Sequence, residues 1–340
     1  MTVDLRKMVK AAKPSIAVIG LGGAGCNIIT WIAQKGIAGG RIIAANTGIH
    51  HLATMRKADK LILLGKKLCK GYGCGGSPGM GAEATKENLT EIKAALQDVN
   101  LLILVAGMGG GTGSGAIPVV AGVARELGIL TIACVTIPFK METARREKAR
   151  EAIKALTERC DSTIVIDNLK LSEIAGALPL KDALAVANAL VGSFVRNITE
   201  TITQTSLINL DFADLRSVMQ RGGISAIGIG EGDGEDRITK AVSRALAVPL
   251  LDISDISATH GVLIHIVGGE DMTLEEVAAA GERIVDKMPN PKRVIWGAKV
   301  DSSLTGSVRI MVVLTGIESP SLKASENGIK NRCHPIFRPI

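Results

Sequence analysis

Short apolar runs alternate with helix-period stretches along the first half of this chain. Ser15 to Ile19, Arg41 to Gly48, Leu61 to Leu64, Leu101 to Val105, Thr131 to Thr136 and Thr163 to Ile166 read as strands, because each is a brief apolar run bounded by turn residues. Cys26 to Gln34, Ala82 to Leu96 and Pro118 to Leu127 read as helices between them. The alternation predicts an α/β fold with a Rossmann-like, doubly wound and largely parallel sheet. From Lys181 to about Ser206, Leu184, Ala187, Val191, Phe194, Val195, Ile198 and Ile202 recur at helical steps. That pattern predicts one long central helix of roughly 35–40 Å. Beyond it, apolar runs at Gly261 to Val267, Arg293 to Trp296 and Val308 to Thr315, with a helix over Thr273 to Lys287, predict a smaller α+β unit with a small sheet. The expected organisation is an extension over 1–13, an α/β domain over 14–180, the helix over 181–206, the α+β domain over 207–317 and a flexible tail over 318–340.

Three glycine-rich loops fall where strands hand over to helices. The richest is Gly107-Met108-Gly109-Gly110-Gly111-Thr112-Gly113-Ser114-Gly115, after the apolar run that ends at Val105. Glycine lets backbone N–H groups turn toward an anion and approach it closely, and the next helix aims its positive end at the same point. Thr112 and Ser114 hydroxyls are expected to add donors. A second loop, Gly20-Leu21-Gly22-Gly23-Ala24-Gly25, has a dinucleotide-type spacing, and a third runs from Gly71 to Gly81. Loops of this kind on one sheet edge are expected to converge on one nucleotide. The lone Gly-Lys pair of the expected kind, Gly65-Lys66, is followed by Lys67, so no Walker motif is present. A dinucleotide fold needs an acid at the end of the second strand, where Asn46 and Thr47 stand instead. An NAD-dependent oxidoreductase is therefore a runner-up.

These residues resemble the tubulin/FtsZ family of polymerising GTPases, closest to FtsZ of the archaeal type. The most specific elements are Gly109 to Gly115, Pro138-Phe139 followed by Glu142 and Arg146, and Asn209-Leu210-Asp211-Phe212-Ala213-Asp214. The resemblance runs from about Ile16 to Thr315. It implies GTP and GDP as ligands, with Mg²⁺ accompanying GTP. Gly22, Gly23, Ala24 and Asn27 fall on its first phosphate loop, and Gly75, Gly76 and Ser77 on the loop that senses the terminal phosphate. Gly109, Gly110, Gly111, Thr112 and Gly113 form its signature cradle. Glu142 is implied as a ribose contact, Arg146 as a phosphate contact, and Asn168 and Asn188 as readers of sugar and guanine. Read without the family, Glu142 and Arg146 make an ordinary i,i+4 surface pair, and Asn168 and Asn188 a loop cap and a solvated side chain. Several positions depart from the family pattern: Gly48 replaces an acid, Leu184 an aromatic, Ser77 an asparagine, Cys74 an alanine and Thr143 a glycine. Ser114 has the form seen in tubulin, which leaves open a tubulin-like cytoskeletal filament protein with weak or no GTPase.

Catalysis is implied for Asp211, Asp214 and Asn209, on a segment that in the family enters the pocket of the next subunit. In isolation, Asp211 ahead of Phe212-Ala213-Asp214 reads as a helix N-cap. A shared site makes hydrolysis depend on assembly, and head-to-tail contact of unlike surfaces yields filaments. The resemblance implies a role in cell division, at the division site of the cytoplasm. Near its end the tail carries His334-Pro335-Ile336-Phe337-Arg338, weakly similar to a peptide that binds membrane-anchor or division partners in the family.

Composition narrows the classes further. The 340 residues carry a net charge of +7, but only two Trp, one Tyr and four Phe, with no motif interleaving them with Arg or Lys. Specific nucleic-acid recognition is not expected. Six cysteines stand without a Cys-x-x-Cys pair, and Cys69 and Cys74 are the only close two. They read as reduced thiols in a cytosolic protein, with no metal site. Val99 to Ala124 is uncharged, but its glycines and polar Gly-Thr-Gly-Ser centre argue against a transmembrane segment, and no export signal precedes the first domain.

Overall fold

The computed structural model describes residues 14–37, 39–203, 208, 210–247, 251, 259–288, 291–319 and 322. The extension over 1–13, Asn209 and nearly all of the tail lie outside the described residues.

Ten strands form one sheet: β1 (Ile16–Leu21), β2 (Gly40–Asn46), β3 (Lys60–Leu63), β4 (Leu101–Gly107), β5 (Leu130–Ile137), β6 (Ser162–Asp167), β7 (Gly223–Asp233), β8 (Gly261–Gly268), β9 (Arg293–Val300) and β10 (Ser307–Thr315). Their order is β3-β2-β1-β4-β5-β6-β7-β10-β8-β9. The strands from β3 to β7 in that order are parallel, as the βα alternation predicts. Helices cover both faces, so β1 and β4 are buried almost end to end and read as continuous apolar runs.

The helices among the described residues are α1 (Gly22–Lys35), α2 (Ile49–Ala53), α3 (Pro78–Lys86), α4 (Leu89–Ala95), α5 (Thr112–Glu126), α6 (Thr143–Thr157), α7 (Asn168–Ala175), α8 (Leu180–Thr203), α9 (Phe212–Met219), α10 (Arg237–Ala247) and α11 (Leu274–Val285). The single helix expected over Ala82 to Leu96 is two, α3 and α4. The break falls at Asn88, whose side chain accepts the Gly65 N–H and donates to Glu91, competing with the helical ladder.

The small sheet expected in the second half comprises β7, β10, β8 and β9, and it continues the first. Ser162, Thr163 and Ile164 of β6 pair with Gly223, Ile224 and Ser225 of β7, and the Ser162 and Ser225 hydroxyls lie 2.8 Å apart. Neither β7 nor α10 is evident from apolar runs. In the second half of β7 one face is glycine at every second residue, because the α10 backbone lies directly upon it. A Cβ on Gly228, Gly230 or Gly232 would come within 1.9, 2.0 or 1.9 Å of the carbonyl oxygens of Ala245, Ala241 and Arg237.

The 24-residue helix α8 is about 36 Å long by its rise per residue. It follows α7, which starts at the carboxyl end of β6, and it ends where Thr203 packs on Gly39, just ahead of β2. The helix therefore leads from the carboxyl edge of the parallel strands to the opposite edge. No described helix is long and apolar enough to cross a membrane.

Candidate nucleotide site

The three glycine loops meet at the carboxyl edge of β1, β2 and β4, and their glycines are where backbones touch. A Cβ on Gly113 would lie 2.5 Å from the Gly107 oxygen, and one on Gly22 would lie 2.9 Å from the Gly113 nitrogen. The third loop closes on the signature from the other side, since a Cβ on Gly111 would reach 2.8 Å from Cys74 Cβ and 2.9 Å from the Ser77 nitrogen. Larger residues at these positions would drive the loops apart. By contrast, a Cβ on Gly75, Gly76 or Gly110 would meet nothing within 4 Å. Those three glycines line free space.

Two helices start earlier than the sequence suggests. Helix α1 begins at Gly22, so Gly22, Gly23, Ala24 and Asn27 occupy its first turns, and α5 begins at Thr112. Both aim unsatisfied N–H groups at the shared edge. Ser114 is not a donor at the mouth: it is buried, and its Oγ accepts the Gly109 N–H at 2.8 Å.

Thr47 and His51 belong to the wall although the sequence marks neither as a site residue. Thr47 Oγ1 lies 2.6 Å from Thr112 Oγ1, tying the β2 loop to the head of α5. His51 shares a hydrogen bond with Asn27 Oδ1 at 3.0 Å and lies 3.4 Å from Asn46 Nδ2. Their signal was the placement of an Asn-Thr pair after β2, which is legible only when that loop is known to face the cradle. Ser77 caps α3, accepting the Met80 N–H at 3.3 Å, and Lys148 donates to the Gly76 oxygen at 3.0 Å.

Glu142 and Arg146 do not pair with each other. Glu142 sits ahead of α6, accepting from the Phe139 N–H at 3.2 Å and from Arg145 at 2.6 Å. Arg146 turns inward to Asp167, with paired bonds of 2.9 and 2.7 Å, and also donates to the Pro138 oxygen. Asp167 in turn caps α7 by accepting the Leu169 N–H at 2.9 Å. Asn168, the first residue of α7, has a buried Oδ1 with no partner. Such an atom normally finds one, so it fits a ligand hydroxyl or N–H.

Asn188 lies half-buried on α8 with no hydrogen bond to its side chain among the described residues. Helices α1 and α8 run the same way, and Trp31 packs on Gly192. One turn earlier on each stand Asn27 and Asn188. Leu184, a further turn toward the cradle edge, is 41% exposed.

Asp211 and Asp214 are elsewhere. They form a reciprocal capping box on α9: Asp211 Oδ1 accepts the Asp214 N–H at 2.7 Å, and Asp214 Oδ2 accepts the Asp211 N–H at 3.3 Å. They follow α8 beyond its end at Gly39, and the segment after α9 meets the start of β6 through Gly223 N–H and the Asp161 oxygen, 3.2 Å apart. The box thus comes after the far end of α8, the end away from the cradle. Asn209 lies outside the described residues.

Two family models match the chain: the GTPase domain of the tubulin/FtsZ family over residues 15–176, and the C-terminal domain of the FtsZ family over residues 223–318. The chain belongs to the tubulin/FtsZ family. It is 44% identical to Cell division protein FtsZ 1 of Methanocaldococcus jannaschii over 330 residues, covering 97% of this chain and 90% of that protein. FtsZ 1 of Thermococcus kodakarensis is 45% identical over 324 residues, covering 95% and 86%. Among solved structures, an empty FtsZ dimer from M. jannaschii superposes with a TM-score of 0.86 at 45% identity, covering 92% of this chain and 91% of that one. CetZ1 of Haloferax volcanii shares the fold, with a TM-score of 0.79 at 20% identity over 91% of this chain and 96% of that one. This FtsZ-type chain is thus a guanine-nucleotide-binding GTPase of the cell-division branch, and the NAD-dependent oxidoreductase is set aside.

Proposed function

We propose that this chain hydrolyses GTP at a site shared between subunits of a head-to-tail filament, at the division site in the cytoplasm. One observation carries the reading: the cradle stands at the start of α8 and the capped carboxylates Asp211 and Asp214 come after its far end. One chain cannot bring them together, whereas a second copy stacked head-to-tail can. The relation is heterologous and does not close on itself, so it gives a filament. The two parts are a nucleotide domain over 14–180 and an α+β domain over 207–317, joined by the helix α8.

In this reading the N–H groups at Gly22, Gly23 and Gly110 to Gly113 surround the phosphates, with Gly109 shaping the turn ahead of them and Ala24 and Asn27 alongside. Gly75, Gly76 and Ser77 face the terminal phosphate. Glu142 and Asn168 hold the ribose, and Asn188 reads the guanine edge. Arg146 acts by position: its fork on Asp167 fixes the start of α7 and hence Asn168. No three described His, Cys, Asp or Glu residues group to hold a metal ion, so Mg²⁺ would be held by phosphate oxygens and water. Asp211, Asp214 and Asn209 from the next subunit orient the attacking water. The tail, nearly all of it outside the described residues, takes membrane-anchor or division partners.

The experiment is a paired titration with GTP and ATP of wild type and Asn188→Ala. Wild type binds GTP in preference to ATP, and the variant loses more affinity for GTP, because the guanine edge is left unpaired. Equal losses for both nucleotides would refute the role of Asn188.

A further inference from the structure

Cys69 and Cys74 stand behind the cradle with their sulfurs 3.9 Å apart, and both are buried. Cys74 belongs to the cradle wall. Its Sγ lies 3.3 Å from Thr47 Oγ1 and 3.6 Å from Thr112 Oγ1, and Gly111 packs against its Cβ. Cys69 closes the preceding turns, with its N–H on the Gly65 oxygen at 2.7 Å and its carbonyl accepting from Tyr72 at 2.9 Å. Between and beside them, Lys70, Gly71 and Gly73 adopt left-handed backbone, with φ of 50, 81 and 90°.

We propose that Cys69 and Cys74 are a reversible redox pair, which a peroxide converts to an intramolecular disulfide that weakens nucleotide binding. The coupling rests on the cradle described above. One thiolate attacks a peroxide oxygen, the O–O bond breaks, and a sulfenic acid and hydroxide form. The second sulfur then attacks the sulfenic sulfur, making the S–S bond and releasing water. The two thiols give up two electrons and two protons, and hydrogen peroxide leaves as two waters. A thiol reductant reverses the step by exchange.

Bond formation draws the sulfurs from 3.9 Å to about 2.05 Å, so Cys74 withdraws from Thr47 and Thr112 and carries the wall behind Gly111 with it. Burial, followed by the neighbouring Cys74 thiol and Glu87, pushes the Cys69 thiol up to about 11. Thiolate is therefore scarce at neutral pH. The pair resists casual oxidation and reacts faster as pH rises.

The test treats the full chain with hydrogen peroxide at mildly alkaline pH, quenches it by alkylation and digests it with trypsin. Cleavage after Lys67 and Lys70 leaves the tripeptide Leu68-Cys69-Lys70 attached to the peptide Gly71 to Lys86 only if the disulfide formed. GTP affinity is titrated on the same samples. The expected result is the linked peptide, with an affinity loss of about two- to tenfold, the worth of one hydrogen bond. Dithiothreitol reverses both. Cys69→Ala is expected to bind like reduced wild type before and after peroxide. Absence of the linked peptide, a linked peptide with unchanged affinity, or the same loss in Cys69→Ala would each overturn the proposal. A reduced chain that fails to bind GTP would overturn the cradle assignment itself, while the linked peptide reports the pairing alone.

Discussion

Arg146 and Asp167 meet in a two-bond fork beneath the nucleotide site, joining α6 to the end of β6. Both side chains are largely buried, and the Asp167 carboxylate, with burial working against it, holds the Arg146 guanidinium above its already high range. Asp167→Ala removes the fork and the cap of α7 together. The expected cost is about 3–5 kcal/mol, the range for breaking a buried pair and stranding one charge. Asp167→Asn keeps the cap acceptor and should lose less. Urea unfolding of the three proteins checks this, and equal midpoints would show that the fork does not contribute.

Gly110 faces free space, in contrast to Gly111, where a side chain collides with Cys74 and Ser77. Gly110→Val should therefore leave stability within about 0.5 kcal/mol, as for an unobstructed surface position. GTP binding should be abolished, because the side chain occupies the space in front of the cradle. A thermal melt beside a GTP titration checks both halves. A stable variant with wild-type affinity would place the phosphates elsewhere.

His265 lies buried in β8 with both ring nitrogens unpartnered. Burial first, and Lys299 next, push its imidazole down to about 4 from the usual 6.5, with Glu200 pulling the other way. Between those values the unfolded chain binds the proton and the folded one does not. Stability is therefore fully present above pH 6.5 and is lost as pH falls through 4, by about 3 kcal/mol for this group. His265→Leu should flatten that slope. Unfolding free energies at pH 7 and pH 4.5 would show a smaller difference in the variant. An unchanged difference would mean that His265 does not set the acid limit.

Much of this was legible in the sequence, for identifiable reasons. Strands β1, β2, β4, β5 and β6 are largely buried on both faces and announce themselves as apolar runs, as does the short, half-exposed edge strand β3, and α8 carries a regular stripe from Leu184 to Ile202. The cradle was legible because close backbone approach admits only glycine at Gly22, Gly111 and Gly113. What stayed hidden depends on tertiary contact. Strand β7 presents glycines where other strands present side chains, since α10 lies on its backbone. Arg146 and Glu142 have the spacing of a surface pair, and only the fold brings Asp167 within reach of Arg146. Ser114 carries a donor hydroxyl, but its position in the first turn of α5 commits the oxygen to Gly109.

Asp211 is both helix cap and proposed catalyst, and the two roles separate by substitution. Asn caps a helix about as well as Asp, so Asp211→Asn should keep α9 and change stability little. It should slow hydrolysis by about 10²–10⁴ if the carboxylate handles the proton of the attacking water. Asp211→Ala should lose the cap as well, costing about 0.5–2 kcal/mol. Steady-state phosphate release and urea unfolding on both variants check this. An Asp211→Asn protein with wild-type turnover would remove the residue from catalysis.

The shared site itself is tested most directly by the GTPase rate per subunit of wild-type protein over a range of concentrations. The cradle stands at the start of α8 and the Asp211–Asp214 box comes after its far end, so on this account an isolated subunit lacks a complete site. The rate per subunit should be near zero below an assembly threshold and rise to a plateau above it, in step with light scattering. A rate per subunit that stays constant well below that threshold would contradict the account.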